Sequence, residues 1–364
     1  MRILFAGGNS WLPEASGGTQ NSTDYLIRQS LADGHDCAVY CGTKGRGFFG
    51  WRMRAQRKLS GRPFSVDRSQ GYEVMRTWEP MDPARVRAAV ARFQPDVVVV
   101  QTRGSAALGH EFAKLGLPTV LYLRNVEFDE NDGDVSTISG ASFIANSAFT
   151  AGAYRDAYGI DCTVIPPTID FETYRCDTTR EVATLINVYP EKGYAIARDM
   201  AKACPDIPFL FLEAWPLDEP MYNQISGELA GLDNVRFERR TADMTRIYGR
   251  TKILLAPSQW EEAWGRVASE AQCSGIPVIG SARGGLPEAI GPGGMTLPHD
   301  APISDWVAAL RKLWTDETTY TELSRAAEHH AQRDQLRADA QFASFHRVLA
   351  EAVEGRAEPG RLTA

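Results

Sequence analysis

Apolar residues recur along the chain in two alternating rhythms. Short runs such as Ile3-Leu4-Phe5-Ala6, Val97-Val98-Val99-Val100, Phe209-Leu210-Phe211-Leu212 and Ile253-Leu254-Leu255 have no polar face, which suits strands buried on both sides. Between them lie stretches with helical spacing, among them 19–31, 83–93, 148–158, 194–203 and 317–331. Strand and helix in alternation predict an α/β protein built on parallel sheets. The alternation runs through strands at 3–6, 37–41, 72–77, 96–100, 118–123 and 142–145. It lapses in the polar stretch 171–180 and restarts with strands at 182–186, 209–212, 235–238 and 253–255. The pattern therefore predicts a domain over 1–170, a linker over 171–180 and a second domain over 181–335. An amphipathic helix within 336–353 closes the chain, and the tail 354–364 is expected to be disordered.

Length agrees with this division, since 364 residues suit two domains better than one. The composition, 43% apolar and 23% charged, is that of an ordinary water-soluble chain. No apolar run approaches the roughly 18 residues that would cross a bilayer, and the first strand is too short and too soon broken by Gly7 for a signal peptide. The six cysteines are scattered with no Cys-x-x-Cys pair, which fits reduced thiols and a cytoplasmic location. A net charge of −7 argues against nucleic acid as a partner.

One stretch departs from that acidic balance. From Thr43 to Arg68 there are eight bases (Lys44, Arg46, Arg52, Arg54, Arg57, Lys58, Arg62, Arg68) against one acid, Asp67, with Phe48, Trp51 and other aromatics interleaved. Two readings are open: a solvated loop, or a contact for an anionic membrane surface or a lipid-linked acceptor.

The densest chemistry lies in 256–290. Glu262 and Glu270 stand eight residues apart around a helix opening at Ala263-Trp264-Gly265-Arg266. Taken alone, such a pair is equally well explained as two solvated glutamates on one helix. The helix start, however, offers the backbone N–H groups of Trp264, Gly265 and Arg266 to an anion, and Gly265 lets a ligand approach closely. A short buried strand and a second glycine turn, Arg283-Gly284-Gly285-Leu286-Pro287-Glu288, follow at once. Strand, anion-ready helix start, strand and glycine turn describe the ligand crevice of an open α/β sheet.

These residues carry a resemblance. Pro257-Ser258, Glu262-Ala263-Trp264-Gly265, Glu270-Ala271, Gly275-Ile276-Pro277-Val278 and Gly284-Gly285-Leu286-Pro287-Glu288 resemble, in order and spacing, the signature of the retaining GT-B glycosyltransferases of family 4. The resemblance implies two Rossmann-like, doubly wound domains facing a central cleft, with the closing helix crossing back to the first. It implies transfer of a hexosyl group from a nucleotide diphosphate sugar to an acceptor hydroxyl with retained configuration. The nucleotide sugar is a substrate, and neither cofactor nor metal is expected. Glu262 would hold sugar hydroxyls and Glu270 the ribose. Gly17 and Gly18 would offer backbone N–H groups to the diphosphate, and Lys192 would supply a cation.

The chain departs from the family at two places. Asn187 stands where an arginine usually joins Lys192 on the diphosphate; its amide could still donate a hydrogen bond to a phosphate oxygen, and Arg266 could supply the missing charge. Arg124 stands where a histidine usually lies over the sugar, and it faces either a more anionic substrate or the neighbouring Glu127 or Asp129. The acid-rich loop containing Asp132-Gly133-Asp134 is read as solvated and not as a metal site. Two other readings stand beside transferase: a GT-B sugar-nucleotide epimerase, and a non-catalytic nucleotide-sugar-binding protein with a decayed site. The acceptor, lipid-linked or soluble, is open, and so is attachment at the inner membrane face.

Overall fold

In the computed structural model, which describes residues 1–357, the apolar runs at 3–6 and 97–100 lie at the centre of an eight-stranded sheet. Its strands are β1 (Arg2–Ser10), β2 (Asp36–Gly42), β3 (Ser65–Asp67), β4 (Glu73–Thr77), β5 (Val97–Gln101), β6 (Thr119–Leu123), β7 (Ser142–Ala145) and β8 (Thr163–Val164). The order is β3-β4-β2-β1-β5-β6-β7-β8, parallel except where the edge strand β3 meets β4. Along β1 the side chains alternate between two cores. Ile3 and Phe5 face the core that contains Leu26, Ile27, Phe345 and Leu349, whereas Leu4 and Ala6 face the one that contains Val86, Leu108 and Phe112. Helices thus cover both faces, which is why these strands carry no polar rhythm.

The closing helix, Ala338–Ala357, belongs to this first unit, which otherwise spans Met1–Thr168. Phe345 lies against Phe5 (6.1 Å between centroids) and Tyr122 (6.5 Å), so the chain's end completes the core of its beginning. The helix runs past Val353 to Ala357, correcting the expected start of a disordered tail at 354. The rest of that expected tail, 358–364, lies outside the described residues.

The stretch 43–68 is not a loop. It contains the helix Gly47–Ser60, which turns Gly50 and Met53 inward and leaves Phe48, Trp51 and Leu59 facing out.

The second unit, Ile169–Arg337, holds a fully parallel six-stranded sheet. Its strands are β9 (Val182–Ile186), β10 (Phe209–Leu212), β11 (Val235–Glu238), β12 (Thr251–Ala256), β13 (Val278–Ser281) and β14 (Gly294–Leu297), in the order β11-β10-β9-β12-β13-β14. Gly294-Met295-Thr296-Leu297 has no apolar run, and only its parallel pairing with β13 makes it a strand. The stretch 171–180 is part of this unit and not a free connector. Phe171 and Tyr174 pack with Ile169, Cys273 and Ala331, and the backbone N–H of Cys176 donates to Ser274 Oγ (2.9 Å). The loops after the carboxyl ends of β9, β10, β12 and β13 contain Lys192, Trp215, Glu262 and Gly284. This is the edge at which parallel α/β sheets bind ligands.

Candidate active site

Two loops of the second unit are zipped together. The backbone N–H groups of Gln259 (2.8 Å) and Trp260 (3.0 Å) both donate to the carbonyl of Glu191, tying the loop after β12 to the loop after β9. Gly193 has φ +82, and a Cβ there would run into the Pro257 carbonyl oxygen, so the close approach needs glycine. The result is a direct ion pair, Lys192 Nζ to Glu262 Oε1 at 2.6 Å, with the Ser258 hydroxyl donating to the same oxygen (3.0 Å). The glycine turn holds Glu262 from the other side. The Gly285 N–H donates to the Glu262 carbonyl (2.6 Å), and a Cβ on Gly284 would strike the Glu262 backbone. Pro257, Ser258, Gly284 and Gly285 are therefore parts of a brace that holds Glu262 by its backbone and its carboxylate.

The helix Arg266–Gln272 begins beside this brace with no side-chain cap. Gly265, at φ +108, precedes it, and a Cβ there would stand 2.5 Å from Leu286 Cδ1. Its conformation and its packing on Leu286 both demand glycine, a reason the sequence reading did not contain. Trp264 is buried; its indole N–H donates to Ser269 Oγ (3.0 Å), and Arg333 stacks 5.6 Å over its ring. Arg266 does not stand clear as the expected second cation: it is paired with Glu270 (Nη2 to Oε1, 3.0 Å). Glu270 is buried and also accepts from Tyr248 (3.0 Å). Burial, together with the Glu270 charge, pushes the Tyr248 phenol well above its ordinary range.

Asn187 follows β9 at φ +79, buried, with its backbone N–H donating to the Leu212 carbonyl (2.9 Å). Its Oδ1 is buried without a hydrogen-bond partner among the described residues. A buried acceptor left in this way is a place for a ligand hydroxyl or N–H. On the flank formed by β10, Trp215 meets Tyr189 edge to face (5.3 Å) and receives Lys192 Nζ over its ring (4.9 Å). Sequence reasoning missed Trp215, and its only signal was a bulky aromatic in the loop that ends an apolar strand.

Gly17, Gly18 and Arg124 lie in the first unit. Gly17 is extended, and Gly18 opens the helix Gly18–Ala32, whose first turn has no side-chain cap. Arg124, buried at the end of β6, donates through Nη1 to Ser22 Oγ on that same helix (2.8 Å) and stacks on Tyr122, 3.7 Å from the ring centroid. Beyond the carboxyl ends of β1, β2, β4 and β5 lies a cleft of about 650 Å³, bordered by Asn9, Gln20, Lys44, Trp78, Asp82 and Arg103. Asp134 accepts from the N–H and hydroxyl of Ser136, and among the described residues no three acids, histidines or cysteines converge as metal ligands would. Nor is any described helix long and apolar enough to cross a membrane.

Residues 16–173 match the profile of Glycosyltransferase Family 4, and residues 182–330 that of Glycosyl transferases group 1. The chain is 37% identical over 115 residues to the D-inositol 3-phosphate glycosyltransferase of Corynebacterium aurimucosum, covering 31% of this chain and 27% of that protein. It is 28% identical over 218 residues to the protein of the same name from Mycobacterium marinum, covering 53% and 46%. The chain thus spans half or less of the length of these relatives. Over the whole fold it is similar to Anabaena Alr3699/HepE, whose crystal structure is in complex with UDP-glucose. The TM-score is 0.75 at 17% identity, covering 96% of this chain and 100% of that one. Each half of the chain matches a glycosyltransferase profile, and both fold as parallel-sheet α/β units; the chain belongs to the group 1, family-4 type of glycosyltransferases with the GT-B fold.

Proposed function

We propose that the chain transfers a hexosyl group from a nucleotide diphosphate sugar to an acceptor hydroxyl, with retention of configuration and without a metal ion. The observation that carries this reading is the Lys192–Glu262 pair, 2.6 Å apart and braced on both sides. A cation for a departing phosphate and a carboxylate for sugar hydroxyls stand together where a sugar–phosphate bond must lie. Donor binding exchanges both partners at once: the diphosphate takes Lys192 and the sugar hydroxyls take Glu262, so neither charge is left buried and alone. The acceptor oxygen then attacks the anomeric carbon as its bond to the phosphate breaks. The acceptor's proton passes to the departing diphosphate, and the uncapped N–H groups at Gly265–Arg266 stabilise the negative charge. Glu270 holds the ribose, and Asn187 accepts a hydrogen bond from the donor. Arg124 acts through Ser22, orienting the helix that Gly18 opens.

Uridine donors head the list to test, since the Anabaena structure holds UDP-glucose. The acceptor belongs in the cleft between Asn9 and Arg103. The segment leading into the helix Gly47–Ser60 borders it through Lys44, and that helix brings it to an anionic lipid surface. The test is incubation of purified protein with UDP-, GDP- and ADP-sugars, watching by NMR for slow hydrolysis and the anomer released. Release of the donor's own anomer supports a retaining transferase. An inverted anomer overturns retention, release of a 2-epimer indicates an epimerase, and binding without turnover supports the non-catalytic reading suggested by Asn187.

A further inference from the structure

We propose that Trp215 is the stacking platform for the donor's nucleobase; this rests on the donor reading above. Trp215 is 43% exposed, although everything around it is pinned. Glu213, buried at the end of β10, accepts the Leu217 N–H (2.8 Å) and pairs with Arg239 (3.4 Å), which fixes both ends of the short loop carrying the tryptophan. The Tyr189 hydroxyl donates to the Pro216 carbonyl (3.0 Å), and the Tyr189 and Trp215 rings meet edge to face. A large aromatic held rigidly yet left open to water costs apolar exposure that a ligand face can relieve.

Strand order says which part of the donor it meets. Across the sheet the order is β10, β9, β12, and these strands lead to Trp215, Lys192 and Glu262. A nucleotide sugar has the same linear order: nucleoside, diphosphate, sugar. With Lys192 on the diphosphate and Glu262 on the sugar, the flank opposite Glu262 receives the nucleoside. There the Lys192 ammonium, 4.9 Å from the ring centroid, occupies the aromatic face when no ligand does. Lys192 would then leave that face and Glu262 together as the donor enters. Stacking of a base on an aromatic ring contributes about 1–3 kcal/mol by alanine substitution, which corresponds to roughly 5- to 150-fold in affinity.

The experiment is calorimetric titration of wild type, Trp215→Ala and Trp215→Phe with UDP, GDP, ADP, the matching nucleotide sugars and inorganic pyrophosphate. Thermal melts check that the variants are folded. Trp215→Ala should weaken the preferred nucleoside diphosphate and its sugar by the same factor, tenfold or more, without weakening pyrophosphate binding. Trp215→Phe should restore most of the affinity while removing the ligand-induced change in tryptophan fluorescence. Unchanged nucleotide affinity in Trp215→Ala overturns the assignment, as does a loss confined to the nucleotide sugar, which would put the ring against the sugar. A wild type that binds none of the nucleotides defeats the donor reading itself, a different result from a wild type that binds and a variant that binds equally well.

Discussion

Lys192 and Glu262, seventy residues apart in the chain, form an ion pair of 2.6 Å with most of both side chains withdrawn from water. The two groups that the family resemblance assigns to opposite ends of the scissile bond neutralise one another before any ligand arrives. The pair keeps a lysine and a carboxylate at working distance without leaving either as a lone charge in a half-buried crevice.

Glu262→Gln should therefore separate binding from turnover. The amide keeps the shape and releases Lys192 from its competitor. Affinity for the free nucleoside diphosphate should hold or rise, by about fivefold if the pair contributes about 1 kcal/mol. Hydrolysis of the nucleotide sugar should fall by at least tenfold. Calorimetry showing weaker nucleotide binding in the variant would mean that Glu262 does not compete for Lys192.

Glu270 has structural partners as well as a proposed ligand. Glu270→Ala removes the carboxylate that pairs with Arg266 and accepts from the Tyr248 hydroxyl, and should cost about 3 kcal/mol of stability. Glu270→Gln keeps a partner for Tyr248 and should remain folded, yet bind nucleoside diphosphate about tenfold more weakly if the carboxylate holds the ribose. Equal affinity of wild type and a folded Glu270→Gln would remove the ribose assignment.

Each unit contains a histidine whose ionisation opposes folding. Burial, with Arg333 nearby, pushes His330 down to about 4, and burial, with His35 nearby, pushes His346 down to about 4, from an ordinary value of 6.5. Between those values the unfolded chain binds more protons than the folded one, so stability falls as pH drops from 6.5 towards 4 and is flat for these groups above 6.5. Urea midpoints measured at pH 7, 5.5 and 4.5 should decline in that order. His330→Gln and His346→Gln should each flatten the decline, and a midpoint unchanged across this range would contradict the burial of both rings.

The exposed face of the helix Gly47–Ser60 should bind anionic vesicles. Phe48 (79% exposed), Trp51 (59%) and Leu59 (89%) form its apolar part, and Lys44, Arg46, Arg52, Lys58 and Arg62 are exposed around them. Arg54, which donates to the Gly45 carbonyl, and Arg57, stacked 4.6 Å over Trp78, have structural duties and are poor choices for substitution. Replacing Arg52, Lys58 and Arg62 by serine should remove about 3 kcal/mol of attraction and leave donor hydrolysis intact. Vesicle sedimentation should also weaken with salt, because exposed charges are screened within about 8–10 Å at physiological ionic strength. A wild type that ignores anionic vesicles at low salt would make a soluble acceptor the better reading.

Donor hydrolysis should persist in EDTA, because Lys192 and backbone N–H groups meet the diphosphate charge in the mechanism proposed. Activity lost to the chelator and restored by manganese would redirect attention to Asp132 and Asp134.

Local pattern was enough for the central strands of both sheets and for most of the motif. Runs such as Val97–Gln101 and Phe209–Leu212 bury both faces, so they show as strands without knowledge of their neighbours. Positions bound to a glycine, such as Gly193 and Gly284, also stand out in the chain. Contacts between distant segments do not show in this way. Gly294–Leu297 becomes a strand only against β13, Phe171 and Tyr174 are half-buried only because Cys273 and Ala331 are beside them, and Arg266 is paired with the Glu270 one helical turn away. The sequence by itself determined two parallel α/β halves and which carboxylates to watch, because those depend on period and spacing. Which charges are paired, which way Trp264 and Trp215 turn and which helix face stays wet were decided by the tertiary structure, because each is a competition among partners that the chain brings together only when it folds.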